Sequence, residues 1–143
     1  YKEAIRRIHK AGINVLGSFI VGLDSDDKNT FDNLLAFCRE CGVDAAQFHI
    51  LTPLPGTRLY EQLEREGRIL ERDWATYHTG ECVIQPAKMT AKELENGFYR
   101  LNKAFYSWPR TLRRIFSRPR GIVCRASMNL GYRNRARRMP DPT

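Results

Sequence analysis

The chain has 143 residues, 42% hydrophobic and 28% charged, which fits one globular domain, and no apolar run approaches the ~18 residues needed to cross a bilayer. Its formal charge of +8 is uneven: residues 1–106 hold 14 Lys and Arg against 15 Asp and Glu, whereas residues 107–143 hold ten Arg against the single Asp141. Any argument for an anionic partner therefore belongs to the C-terminal stretch.

The chain opens on YKEAIRRIHKAG, already helix-like and without an initiating Met, so the expectation is a part of a longer polypeptide. Ala4, Ile5, Ile8 and Ala11 share a face, and Gly12 fits a helix stop. Residues 13–23, INVLGSFIVGL, read as a strand buried on both faces. Residues 24–41 read as a helix with Phe31, Leu34, Leu35 and Cys38 as its apolar stripe, capped by Asp26 and Asp27 and ended by Gly42. Residues 44–52 predict a second strand, and 58–66 a helix closed by Gly67. Helices alternating with strands point to an α/β fold with a parallel sheet.

Beyond Gly67 a connector with a short extended piece, Cys82 to Gln85, leads into a helix from about Thr90. Thr90 and Glu93 match a capping box, with Met89 and Leu94 as its hydrophobic staple. Pro109 breaks that helix. The expected division is 1–67 as βα units, 68–135 as a mainly helical extension and 136–143 as a disordered tail.

Candidate chemistry is sparse. Cys38 and Cys41 form a C-x-x-C, but inside a predicted helix and with no second pair, so core packing is the better reading and no metal ligand is assigned. Asp24, at the C-terminal end of the first strand, stands where ligands meet parallel sheets. Alternation in the second strand puts Gln47, His49 and Leu51 on one face. Two polar side chains there suit a barrel interior open to substrate, or a hydrogen-bonded core. Gly17 and Gly22 are costly in a strand unless something must approach closely.

GSFIVGLDSDDKNTFDNLLAFC, LTPLPGTRLYEQLEREGRI, DWATYHTG and MTAKEL together resemble the radical SAM family, over about residues 1–135. The similarity is greatest to the branch whose members often carry a cobalamin-binding domain. It implies the C-terminal βα units of a partial (β/α)6 barrel followed by a mostly helical extension. On that reading residues 13–23 are the fifth strand and 44–52 the sixth. Ile20 and Gly22 then match the core of the adenine-contacting motif. Ser18 and Ser25 depart from it, Asp24 stands in for its acid, and Leu51 packs on the adenine. Pro53, Pro55 and Gly56 become a stiff rim of the barrel mouth, and with Gln47 and His49 they line the pocket for an unidentified small-molecule substrate.

The implied cofactors are S-adenosylmethionine, a 4Fe-4S cluster and, in the methyltransferase branch, cobalamin. The family's C-x-x-x-C-x-x-C is not in this sequence. Cluster ligands are therefore expected in an upstream part of the same polypeptide, and the chain alone should be inactive. The resemblance implies a cytoplasmic enzyme. The rival reading is a binding module without catalysis, in which Arg110, Arg113, Arg114, Arg118 and Arg120 with Trp108 and Phe116 hold RNA or an anionic membrane.

Overall fold

A computed structural model describes residues 1–78 and 80–141. In chain order it contains α1 (Lys2–Lys10), β1 (Leu16–Val21), α2 (Thr30–Cys41), β2 (Ala45–Ile50) and α3 (Arg58–Arg65). A single 3-10 turn at Trp74–Thr76 follows, then α4 (Ala91–Phe105), α5 (Trp108–Ile115) and α6 (Ile122–Arg137). Among the described residues no helix is long and apolar enough to cross a membrane.

β1 and β2 pair in parallel, with Leu16 beside Ala45 and Val21 beside Ile50. α2 is the crossover between them, as the helix–strand alternation requires. One face of the pair, carrying Phe19, Val21, Phe48 and Ile50, packs into the main core with Phe31 and Cys38 of α2 and Leu94, Phe98 and Phe105 of α4. α4 lies close on α2: a Cβ on Gly97 would stand 2.2 Å from the Phe31 ring. A smaller cluster of Leu63, Val83 and Ile84 fills the space under α3.

Several bounds differ from the sequence expectation. β1 is shorter than residues 13–23, because the chain turns away at Gly22. α2 starts at Thr30 rather than at the DSDD run, and its N-cap Asn29 makes no side-chain cap bond. Asp26 instead accepts the Gly22 and Leu23 N–H groups at 2.9 and 3.0 Å, and Asp27 accepts that of Asn29 at 2.9 Å. These aspartates satisfy the strand exit and the turn before the helix, not the helix end. The Thr90–Glu93 capping box is present, with Met89 and Leu94 buried in the core. Pro109 stands in the first turn of α5 as well as past the end of α4. The tail expected to be disordered is helical through Arg137, and Asp141 pairs with Lys103; Pro142 and Thr143 lie outside the described residues.

The outer edge of β2 ends on a side chain. Tyr106 accepts the Ala46 N–H at 3.1 Å and donates to the Ala46 carbonyl at 2.6 Å, so one phenol replaces a neighbouring strand. Burial pushes its ionisation up to about 12, which keeps the phenol neutral and able to donate. At the N-terminal end of the sheet, Asp44 is 2% exposed and accepts from the Val15 N–H at 2.8 Å, His9 at 2.9 Å and Arg118 at 2.5 Å.

Two outcomes test this packing. Tyr106→Phe strips both partners from Ala46 and is expected to cost about 1–3 kcal/mol. The check is a lowered denaturant midpoint at unchanged slope. Asp44→Ala leaves Arg118 and the fully buried Arg125 without their carboxylate and is expected to cost about 3–5 kcal/mol. A loss below about 1 kcal/mol would mean that Asp44 does not tie these elements together.

Candidate functional site

Two of the predicted pocket residues, Gln47 and His49, lie on the second face of the sheet. In the parallel register Ser18 is the partner of Gln47, and Ile20 the partner of His49. Register partners point the same way, so Leu16, Ser18, Ile20, Gln47 and His49 share this face. The β1 half of it is open: Leu16 and Ile20 are exposed, Ile20 by 54%. The β2 half is half-buried, and Gln47 donates to the Tyr132 hydroxyl of α6. Exposed Ile20 and half-buried His49 thus stand side by side toward the C-terminal ends of the parallel strands.

The rim beyond β2 has a defined geometry. Leu51 continues the pairing by donating its N–H to the Val21 carbonyl at 2.8 Å, and its side chain packs on the smaller core cluster. Pro53 is buried. Leu54, Pro55, Gly56 and Thr57 form a turn in which the Thr57 N–H reaches the Leu54 carbonyl at 3.1 Å and Gly56 has φ +80°. Proline followed by a left-handed residue makes this a type II turn, which explains the Pro-Gly order. Thr57 then caps α3 by accepting the Tyr60 N–H. Pro55, Gly56 and Thr57 thus each have a conformational or bonding reason for their identity.

The loop leaving β1 is pinned from three sides. Arg68 donates to Asp24 at 2.6 Å, to Glu66 at 3.0 Å and to the Gln85 carbonyl at 2.9 Å. Lys88 reaches the Ser25 carbonyl at 3.1 Å, and Lys28 pairs with Glu93 at 2.7 Å. Asp24 is thus a clamp between the β1 exit and the segment after α3. Gly22, at φ +98°, is required by its backbone and by the Leu94 side chain, which would lie 2.8 Å from an added Cβ. Gly17 is crowded in the same way by the Phe19 ring.

Cys38 and Cys41 are buried in α2, and burial pushes the Cys38 thiol up to about 12. Both pack in the core, Cys38 1% and Cys41 9% exposed, as the apolar face of α2 requires. Among the described residues no group of three or more His, Cys, Asp or Glu converges on a metal-sized site. The Trp74 and Tyr77 rings lie 5.6 Å apart at a tilt of 38°, with Trp74 exposed.

Sequence reasoning missed the other end of the sheet. A cavity of about 460 Å³ opens there between α2 and α5, lined by His9, Arg39, Asp44, Arg110, Arg113 and Arg118 among others. It lies at the N-terminal end of β2, the end that serves stability in α/β barrels. Arg114 is held there by Asn129 and the Phe105 carbonyl, each at 2.9 Å, and burial pulls it down to about 10. Arg125, fully buried, donates to the Arg114, Ile115, Arg118 and Arg120 carbonyls. Nothing in an Arg-rich stretch distinguishes an arginine that caps a helix end from one in solvent.

No family model matches the chain. Among curated proteins it is similar to an uncharacterized methyltransferase of Pyrococcus horikoshii, at 30% identity over 129 residues, 90% of this chain and 28% of that protein. Its relatives are methyltransferases and cyclases. Bacteriochlorophyllide d C-12(1)-methyltransferase of Chlorobaculum tepidum is 28% identical over 83% of this chain and 26% of its own length. Anaerobic magnesium-protoporphyrin IX monomethyl ester cyclase of Cereibacter sphaeroides is 30% identical over 73% of this chain and 17% of its own. The chain thus spans about a quarter of the length of the first two relatives.

The clamp makes a pH prediction. Asp24 is held below the usual carboxylate range, first by the Arg68 hydrogen bond, and Glu93 is pulled to about 2, first by Lys28. A lowered carboxylate stabilises the fold fully above its ordinary range and loses that contribution as pH falls through the lowered value. The amide resonances of residues 22–28 should therefore stay in place down to about pH 4 and move between there and about pH 2. A midpoint at the ordinary carboxylate value of about 4 would show that the clamp does not form.

Proposed function

We propose that this chain is the C-terminal part of a radical SAM enzyme that acts on S-adenosylmethionine. The observation that carries the reading is the open face of the parallel pair. Ile20 and His49 lie side by side at the strand ends, with a stiff proline-glycine rim above them. Similarity to proteins named as methyltransferases over 90% and 83% of the chain supports it. The outer edge of β1 has no strand partner among the described residues, and two strands alone are marginal in water. A longer polypeptide supplying the remaining strands of a partial (β/α)6 barrel would satisfy that edge.

On this reading residues 1–67 complete the barrel and 68–135 buttress it from outside, in the cytoplasm. Ile20 and Leu51 offer apolar surface to the adenine. Gly22 donates its N–H to Asp26, so its part is to shape the strand exit. Asp24 holds that exit through Arg68. Gln47, His49 and the Pro53–Gly56 rim face the substrate and fix its position relative to the cofactor. The cysteines present do not fit a 4Fe-4S cluster, so cluster ligands and any cobalamin site belong to residues outside this chain. Methyl transfer is favoured over other outcomes by the relatives' names.

The test uses the full-length polypeptide, reconstituted anaerobically with iron and sulfide. S-adenosylmethionine should bind, and 5′-deoxyadenosine or a methylated product should form. Ile20→Asp puts a charge against the adenine and is expected to weaken S-adenosylmethionine binding about tenfold or more in equilibrium dialysis. Absence of binding by the wild type, or equal binding by the variant, overturns the assignment.

A further inference from the structure

α5 and α6 form an antiparallel hairpin. Arg133 of α6 lies over the Trp108 ring at the start of α5, 4.1 Å from its centre, and donates to the Tyr106 carbonyl. Arg125 reaches the carbonyls at the far end of α5. The inner side of the hairpin is buried through Thr111, Ile115, Arg125 and Asn129. Its outer side is not what a solvated helix presents. Trp108, Leu112 and Phe116 recur every fourth residue along α5 and are 50%, 45% and 69% exposed. On α6 Val123 and Leu130 share a stripe with Arg133, at spacings of seven and three, and are 79% and 46% exposed. The contact between Arg133 and Trp108 makes the two stripes neighbours.

Arginine flanks this apolar strip. Arg113, three residues before Phe116, and Arg137, seven after Leu130, are exposed beside it, and no Asp or Glu occurs from residue 107 to 140. Large apolar side chains together with uncompensated positive charge are the two features that hold a helix in the plane of an anionic bilayer. We propose that the outer face of the α5–α6 hairpin docks on an anionic phospholipid surface. Trp108, Leu112, Phe116, Val123 and Leu130 enter the headgroup region, and the flanking arginines meet lipid phosphates. Nucleic acid is the lesser fit: three of the five side chains are aliphatic and cannot stack on bases, and one face of Trp108 is already under Arg133. This docking is independent of the chemistry at the strand ends.

The test is co-sedimentation of the full-length polypeptide with vesicles of phosphatidylcholine, with and without phosphatidylserine. Retention is expected on the phosphatidylserine vesicles, with release as salt rises. Leu112→Ser with Phe116→Ser should lower it about tenfold or more, as should Arg113→Gln with Arg137→Gln. All four residues are exposed; circular dichroism checks the fold, and Val123→Ser on α6 gives an independent variant. No retention on anionic vesicles, or retention indifferent to every variant, overturns the proposal. So does binding of single-stranded RNA that survives Leu112→Ser with Phe116→Ser, or self-association that the same pair abolishes. S-adenosylmethionine binding, measured in parallel, should not change, so failure here is distinguishable from failure of the enzymatic reading.

Discussion

The carboxylate of Asp44 is the constraint on which the arrangement of this chain depends. It sits where the chain enters β2 and is almost wholly removed from water. An ionised group there is tolerable only if its oxygens are met, and each partner comes from a different segment. His9 brings α1, the Val15 N–H brings the entrance to β1, and Arg118 brings the loop between α5 and α6. Asn129 adds α6 by donating to the Asp44 carbonyl at 2.8 Å. A buried aspartate with partners from four segments therefore ties the helical extension to the βα units.

That arrangement polarises the sheet. Its N-terminal end is closed by ion pairs and by Arg125, whose guanidinium meets the Ile115 carbonyl in the last turn of α5 and shares that of Arg114 with Ser117. The outer edge of β2 is closed by Tyr106. What stays open is the C-terminal end, one face and the outer edge of β1. Rigidity at the closed end matters for the open one. Strands whose roots are immobile hold Ile20, Gln47 and His49 in fixed relation, while the Asp24–Arg68 clamp and the Pro55–Gly56 turn fix the loops above them.

The local signals in the sequence were read well where the physics is local. The Thr90–Glu93 box needs only the backbone of its own first turn, and the Pro-Gly order at 55 and 56 needs only the dihedral demands of a turn. Asp26 and Asp27 were misread because the rule that places aspartate at helix starts also places it wherever backbone N–H groups lack partners. Here those groups belong to the end of β1 and the turn after it. Asp24 carries a charge whose partner, Arg68, is 44 residues away, a separation that no local pattern reports.

By itself the sequence determined the order of helices and strands as far as α4, the parallel pairing, the capped start of α4 and the Pro-Gly turn after β2. Each follows from side-chain period, backbone dihedrals or an N–H within a few residues. Only the tertiary structure decided which arginines of the C-terminal stretch are interior and which face outward. All ten look alike in composition. The difference is whether a buried carbonyl or carboxylate from a distant segment lies within hydrogen-bond reach, and chain folding alone brings those partners together.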